Sequence, residues 1–257
     1  MTTMKPLRRD DLASARGVKR RRFVGRSEIP DERRLKVDCS TAAWSISGSA
    51  TRGGDVAEAF MLSNDWFVAA IWDAPGDREA GAPDNVLMRS GLRALLSANP
   101  DIVLAVFALN RLLFRRAQTL PPWPFVSAFF GLVNRQSQTL RYISCGHETA
   151  MLFRGPSAHV HLPHNSPLLG MSEAADLTVD TVHVERGDRL VIVSNGVTAA
   201  RPPRSPKEYF GTAGVCSFLR LQPSGCVADA SRLIDHVVTF ADGALDDDAA
   251  ALIARFD

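Results

Sequence analysis

The segment Leu190-Val-Ile-Val-Ser-Asn-Gly-Val-Thr-Ala-Ala200 decides how the rest of the chain is read. Four apolar residues, Leu190 to Val193, read as a buried strand, and Ser194-Asn195-Gly196 supplies turn chemistry at its end. Polar side chains at such positions often carry function on a rigid scaffold. Here the side chain is the neutral amide of Asn195. It is either a turn former or an oxygen donor standing where a metal-binding carboxylate is expected.

The sequence around this segment is strand-rich. Residues 125–133, 139–145, 149–153, 158–162, 177–184 and 189–194 read as strands, with turns at 134–137, Gly155-Pro156 and Arg186-Gly187-Asp188. Further strands are read at 43–50, 56–63 and 66–73, the last two flanking Asn64-Asp65, a tight hairpin signal. A helical pattern covers 84–98. Asn99-Pro100 then reads as an N-cap with proline at the first helical position, opening a second helix through about residue 116. Two more helices are read at about 212–221 and 227–241, and the apolar run 249–256 closes the chain. Strands interrupted by one helix pair in the middle and another near the end predict an α+β layered domain. Regular strand–helix alternation is missing, which argues against a doubly wound parallel sheet.

The 257 residues, 46% of them hydrophobic, suffice for a proper core. The net charge of +2 hides an asymmetry: residues 1–28 carry nine Lys/Arg against three acids, which leaves −4 on the remainder. Residues 1–30 are therefore read as a basic, mobile or loosely attached leader, and 31–257 as the globular domain. No apolar run approaches the roughly 18 residues of a membrane span. The leader has no apolar signal core, so the expected compartment is the cytoplasm. Cys39, Cys145, Cys216 and Cys226 form no CxxC pair and read as reduced, half-buried residues rather than a disulfide frame.

Three carboxylates share one context. Asp55 ends a Gly-Gly turn, Asp73 ends the strand FVAAIWD, and Asp247 precedes the closing strand. Carboxylates at strand ends can converge on one rim of a sheet, and hard divalent ions want such oxygen ligands. Two such ions about 3.5–4 Å apart can activate water for in-line attack on phosphorus. Spacing alone leaves the simpler reading, ordinary turn and cap residues, open.

The order of motifs adds to this. GGDVAEAF (53–60), IWDAPGDREAGAP (71–83), PDIVLAVFALNRLL (100–113), FVSAFFGLVN (125–134), LRYISCGHETAMLF (140–153), NSPLLGM (165–171), ERGDRLVIVSNGVTAA (185–200) and DDDAAALIARF (246–256) follow one another as corresponding segments do in a known family. Over about residues 30–257 the chain resembles the metal-dependent protein phosphatases of the PPM type, in their bacterial SpoIIE-like branch. The resemblance implies a four-layer αββα sandwich of two antiparallel sheets flanked by helical pairs. It also implies hydrolysis of phosphoserine or phosphothreonine with two manganese or magnesium ions and no phospho-enzyme. Asp73 would bridge the two ions, with the Ala74 backbone carbonyl also at the first. Asp55 would bind that ion directly or through water, and Asp247 would hold the second. Asn195 occupies the place of the second ion's other Asp. The implied partner is a phosphorylated bacterial regulator such as an anti-sigma-factor antagonist. With no attached sensor domain read in the chain, input is expected through a partner or the basic leader.

The chain departs from the family pattern around this site. Asn195 brings no charge, Asp77 replaces a His, Ala199 replaces a Glu, and Ala250 replaces a Thr. Losing one carboxylate should weaken the second ion unless a neighbour such as Asp246 or Asp248 compensates. A pseudo-phosphatase that binds a phosphoprotein without turning it over is the alternative. His159, His161 and His164 read as a solvated strand face, and His147 as a structural turn residue rather than the partner of a Cys145 nucleophile. Asp84, Asp101 and Asp188 read as helix-start or turn residues. Lys19-Arg-Arg-Arg22 reads as a solvated or partner-docking segment. A nucleic-acid role for it lacks interleaved aromatics and is the weaker rival.

Overall fold

The computed structural model describes residues 19–24, 34–44, 54–74, 78–119, 125–155, 158–221, 230–243 and 245–257. Asp77 and Cys226 lie outside the described residues. In chain order the elements are β1 (Lys19–Val24), β2 (Val37–Trp44), β3 (Val56–Met61), β4 (Trp66–Asp73), α1 (Arg78–Ala98), α2 (Ile102–Ala117), β5 (Ser127–Asn134), β6 (Thr139–Cys145), β7 (Ala150–Arg154), β8 (Ala158–Leu162), β9 (Asp180–His183), β10 (Arg189–Val193), α3 (Asn195–Thr198), α4 (Gly211–Arg220), α5 (Ala230–Phe240) and β11 (Ala249–Phe256).

The strands form two antiparallel sheets, ordered β1-β2-β11-β10-β7-β8 and β3-β4-β5-β6-β9. Strict alternation along each central strand sorts its side chains into two layers. On β4, Phe67, Ala69 and Ile71 enter the core between the sheets, while Val68, Ala70 and Trp72 pack under α1 and α2. On β11, Ala250, Leu252, Ala254 and Phe256 face the other sheet, and Ala249, Ala251 and Ile253 face α4 and α5. Both faces are thus covered, which is why these strands are continuous apolar runs. Three hydrophobic layers separate four structural layers, the expected αββα sandwich.

Polar contacts fix how the helices lie on their sheet. Glu58 of β3, almost fully buried, is held by Arg89 and by Arg93 at 2.7 Å, both from α1. Arg116 of α2 binds Asp84 of α1. Asn110 of α2 accepts from Gly170 N at 2.9 Å and donates to Ser172 O at 2.8 Å, pinning the segment after β8.

Several sequence readings shift. Asp101, not Asn99, caps α2: its carboxylate accepts from Val103 N and Leu104 N, so Pro100 lies before the cap rather than inside the helix. Asp84 is buried inside α1 and not at its start. A strand runs over Val37–Trp44 and meets the reading at 43–50 only at its first two residues, the rest of that reading lying outside the described residues, and of 177–184 only Asp180–His183 forms a paired strand. Within the expected leader, Lys19–Val24 pairs antiparallel with β2 from Lys19↔Ala43 to Val24↔Asp38. Its polar composition signals no strand; the pairing uses backbone groups that composition does not report. No helix among the described residues is long and apolar enough to cross a membrane.

Candidate functional site

Strand parity builds one rim between the two sheets. Asp73 continues the Phe67-Ala69-Ile71 face of β4, and Asp55 precedes the Ala57-Ala59-Met61 face of β3, so both carboxylates lie on the inter-sheet side. The opposite sheet contributes Ser194, in step with Leu190 and Ile192, and Asp248, in step with Ala250 and Leu252. Asp247 lies one residue outward. The structure thus brings Asp55, Asp73 and Asp247 together as the sequence predicts, and adds Asp248 and Ser194.

The two edges are locked to each other. Ser194 N donates to Ala250 O at 3.0 Å, and Ala250 N donates to the Ser194 hydroxyl at 2.9 Å. Gly196 faces the backbone of Asp248 so closely that a Cβ there would lie 1.9 Å from the Asp248 carbonyl oxygen. Only glycine allows the α3 turn to sit against the start of β11 in this way. On the other sheet, Trp72 Nε1 donates to Asn85 Oδ1 at 2.8 Å, and Asn85 Nδ2 reaches Gly54 O at 3.5 Å. Helix α1 thereby reaches the backbone next to Asp55.

Crowding of negative charge shapes the electrostatics. Burial raises the Asp55 carboxyl well above its ordinary range; the Ser194 hydroxyl pulls it down, and Asp73, Asp247 and Asp248 push it further up. Burial also raises Asp73, with Asp247 and Asp248 adding to the effect. Asp55 Oδ2 is buried without a hydrogen-bond partner. Asn195 Nδ2 donates to Asp247 Oδ2 at 3.1 Å, a bond two ionised carboxylates could not make. Asp246 points away and pairs with Arg201 at 3.0 Å, whose guanidinium also lies over the Tyr209 ring.

Among the described residues, no group of three or more His, Cys, Asp or Glu side chains is placed so that it could hold a metal ion as it stands. The donor set nevertheless suits a hard divalent cation. It is all oxygen, it is mutually repulsive, and it contains a buried carboxylate oxygen with no partner. Asp55, Asp73, Asp247 and Asp248 are the carboxylates of that set. Ala74 is fully buried directly after Asp73.

His147 is buried, with Nδ1 3.5 Å from the Ser127 hydroxyl, and burial drives it down to about 4. Cys145 is buried and its thiol is pushed up to about 12, which removes it as a nucleophile. Cys39, Cys145 and Cys216 are all free and buried. His159 and His161 share one face of β8, their ring centroids 4.8 Å apart, on strand faces that carry no part of the rim. Asp188 accepts from Glu185 N at 2.9 Å as a turn residue.

A four-layer αββα sandwich with carboxylates gathered at one inter-sheet rim is the arrangement of the metal-dependent PPM phosphatases. The family model "Stage II sporulation protein E (SpoIIE)" matches residues 69–257, and the chain belongs to that family. It is similar to Protein IcfG of Synechocystis sp. (strain ATCC 27184 / PCC 6803 / Kazusa), 27% identical over 132 residues, or 51% of this chain and 20% of that protein. Thus the match spans about a fifth of that relative's length. Its fold is like that of the PP2C phosphatase domain of SpoIIE from Bacillus subtilis, with a TM-score of 0.71 at 18% identity, covering 87% of this chain and 64% of that one. It is also like that of RsbX in complex with magnesium, with a TM-score of 0.63 at 13% identity, covering 92% and 100%.

Proposed function

We propose that the chain is a phosphoprotein phosphatase that hydrolyses phosphoserine or phosphothreonine on a bacterial signalling regulator, using manganese or magnesium at the inter-sheet rim. The observation that carries this reading is the convergence of Asp55, Asp73, Asp247 and Asp248, one of whose buried carboxylate oxygens, Asp55 Oδ2, has no hydrogen-bond partner. Bound divalent ions would activate water and offset the charge of the transferring phosphoryl group. The residues of the chain do the rest. Asp55 and Asp73 would hold ions from one sheet and Asp247 from the other. The Ala74 carbonyl would face the first ion, as the family resemblance implies. Ser194 orients Asp55 through its hydroxyl. Membership of the SpoIIE family supports the reaction class, and a partner-switching regulator, such as an anti-sigma-factor antagonist, is the substrate class that fits it.

One observation favours a second reading. The Asn195 amide donates to Asp247 within the protein, so a neutral donor would compete with a cation for that carboxylate oxygen. In that reading the chain is a pseudo-phosphatase that binds a phosphoprotein without turnover.

The deciding experiment is manganese-dependent hydrolysis of a phosphoserine peptide by the native chain, Asn195→Asp, and Asp73→Ala as blank. Native activity well above the blank establishes the phosphatase. Native activity at the blank level, with or without recovery by Asn195→Asp, favours the binding module for the native chain.

A further inference from the structure

We infer that Asp248, rather than Asn195, supplies the second sheet's other metal-facing carboxylate, so that the charge absent at residue 195 has moved to the adjacent strand. The inference rests on the metal-dependent reading above and concerns which residues hold the ions.

Position is the first argument. Gly196 lies against the Asp248 backbone, and Ser194 and Ala250 exchange two hydrogen bonds, so the adjoining ends of β10 and β11 hold residues 195 and 248 close together at one rim. Asp248 has the parity of Ala250 and Leu252, which face the other sheet. Its Oδ2 lies 3.5 Å from where a Cβ on Gly54 would be, next to Asp55. The carboxylate is therefore aimed across the gap toward the first sheet and not toward the helices.

Burial is the second. Asp248 is 4% exposed, whereas Asp246, the other candidate, has a side chain 70% exposed and paired with Arg201.

A ligand is independently indicated by Asp55 Oδ2, a buried oxygen with no partner in the rim that Asp248 enters. Asn195 meanwhile has a role of its own, holding Asp247 in place through Nδ2.

The test is titration of the EDTA-stripped full chain with manganese alone, read by calorimetry and by the manganese electron-spin signal, without any substrate. Asp248→Asn, nearly isosteric, should weaken the less tightly held manganese at least tenfold. Adding Asn195→Asp to that variant should recover most of the loss. Asp246→Asn, at the exposed neighbour paired with Arg201, should change manganese affinity less than twofold, an arm that does not depend on how Asp248→Asn folds. Three results overturn the inference: Asp248→Asn binding manganese within twofold of native, Asp246→Asn losing tenfold or more, or a native chain that takes up no manganese. A native chain that binds two manganese ions yet hydrolyses no phosphoserine peptide refutes the phosphatase reading and leaves this inference to the titration.

Discussion

Replacing Gly196 by alanine tests the close approach on which the site's geometry depends. The new methyl carbon would lie 1.9 Å from the Asp248 carbonyl oxygen, 2.7 Å from its carbon and 3.2 Å from Ala249 Cα. All three are backbone atoms, so no side chain can swing aside. Reaching even a tight contact of about 3 Å requires the two strand ends to part by about 1.1 Å. That movement strains the paired bonds between Ser194 and Ala250, at 3.0 and 2.9 Å. Overpacking costs roughly 1–3 kcal/mol, and two weakened hydrogen bonds add roughly 1 kcal/mol each. The sum is on the order of 3–5 kcal/mol, or a fall in Tm of about 6–20 °C for a domain of this size. Thermal unfolding in EDTA, followed by near-ultraviolet circular dichroism, reads the stability. A manganese titration below the transition reads the site, where Asp247 and Asp248 will have moved with the strand, and affinity should fall at least tenfold. A variant that melts within 2 °C of native and binds manganese equally well would refute the reasoning, because the turn and the strand could not then be in contact.

Ser194→Ala removes the acceptor of Ala250 N in a fully buried position, and should cost about 1–3 kcal/mol in a urea titration; an unchanged midpoint would contradict that bond. His147 supplies a pH test. Burial depresses its folded value to about 4 from an ordinary 6.5, so its contribution is present above pH 6.5 and lost as pH falls toward 4. Asp55 and Asp73 act with the opposite sign, their contribution being lost as pH rises through their raised folded values. These acids are common to both proteins, so the native-minus-His147→Asn difference should shrink by on the order of 3 kcal/mol between pH 7 and pH 4. Parallel stability curves would exclude a neutral buried His147. Glu58→Ala leaves Arg89 and Arg93 without their shared carboxylate; since both are about half exposed, the cost should be only about 1–2 kcal/mol and diminish with added salt. A loss unaffected by salt would assign it to packing instead.

What the sequence made legible follows from what its patterns encode. The runs FVAAIWD and LRYISC, and the closing AAALIARF, are buried on both faces, and their strands have the bounds read from the chain alone. Elements that depend on long-range backbone pairing were less visible. Lys19–Val24 carries no apolar alternation, and Asp101 outcompeted Asn99 as a cap through geometry rather than residue type, since both can cap a helix. The site divides the same way. Asp55, Asp73 and Asp247 were readable as strand-end acids, but Asp248 was named only alongside Asp246 as a compensating neighbour and Ser194 only as turn chemistry, because a run of three aspartates does not say which one turns inward. Strand parity would have said so. If Ala250, Leu252, Ala254 and Phe256 face the inter-sheet core, Asp248 must begin that face, just as Asp73 ends the one carrying Phe67, Ala69 and Ile71. The same period that builds the core therefore selects which carboxylates enter the rim. It also changes the meaning of Asn195: an amide there need not be a missing ligand if the neighbouring strand already presents its carboxylate to the same space.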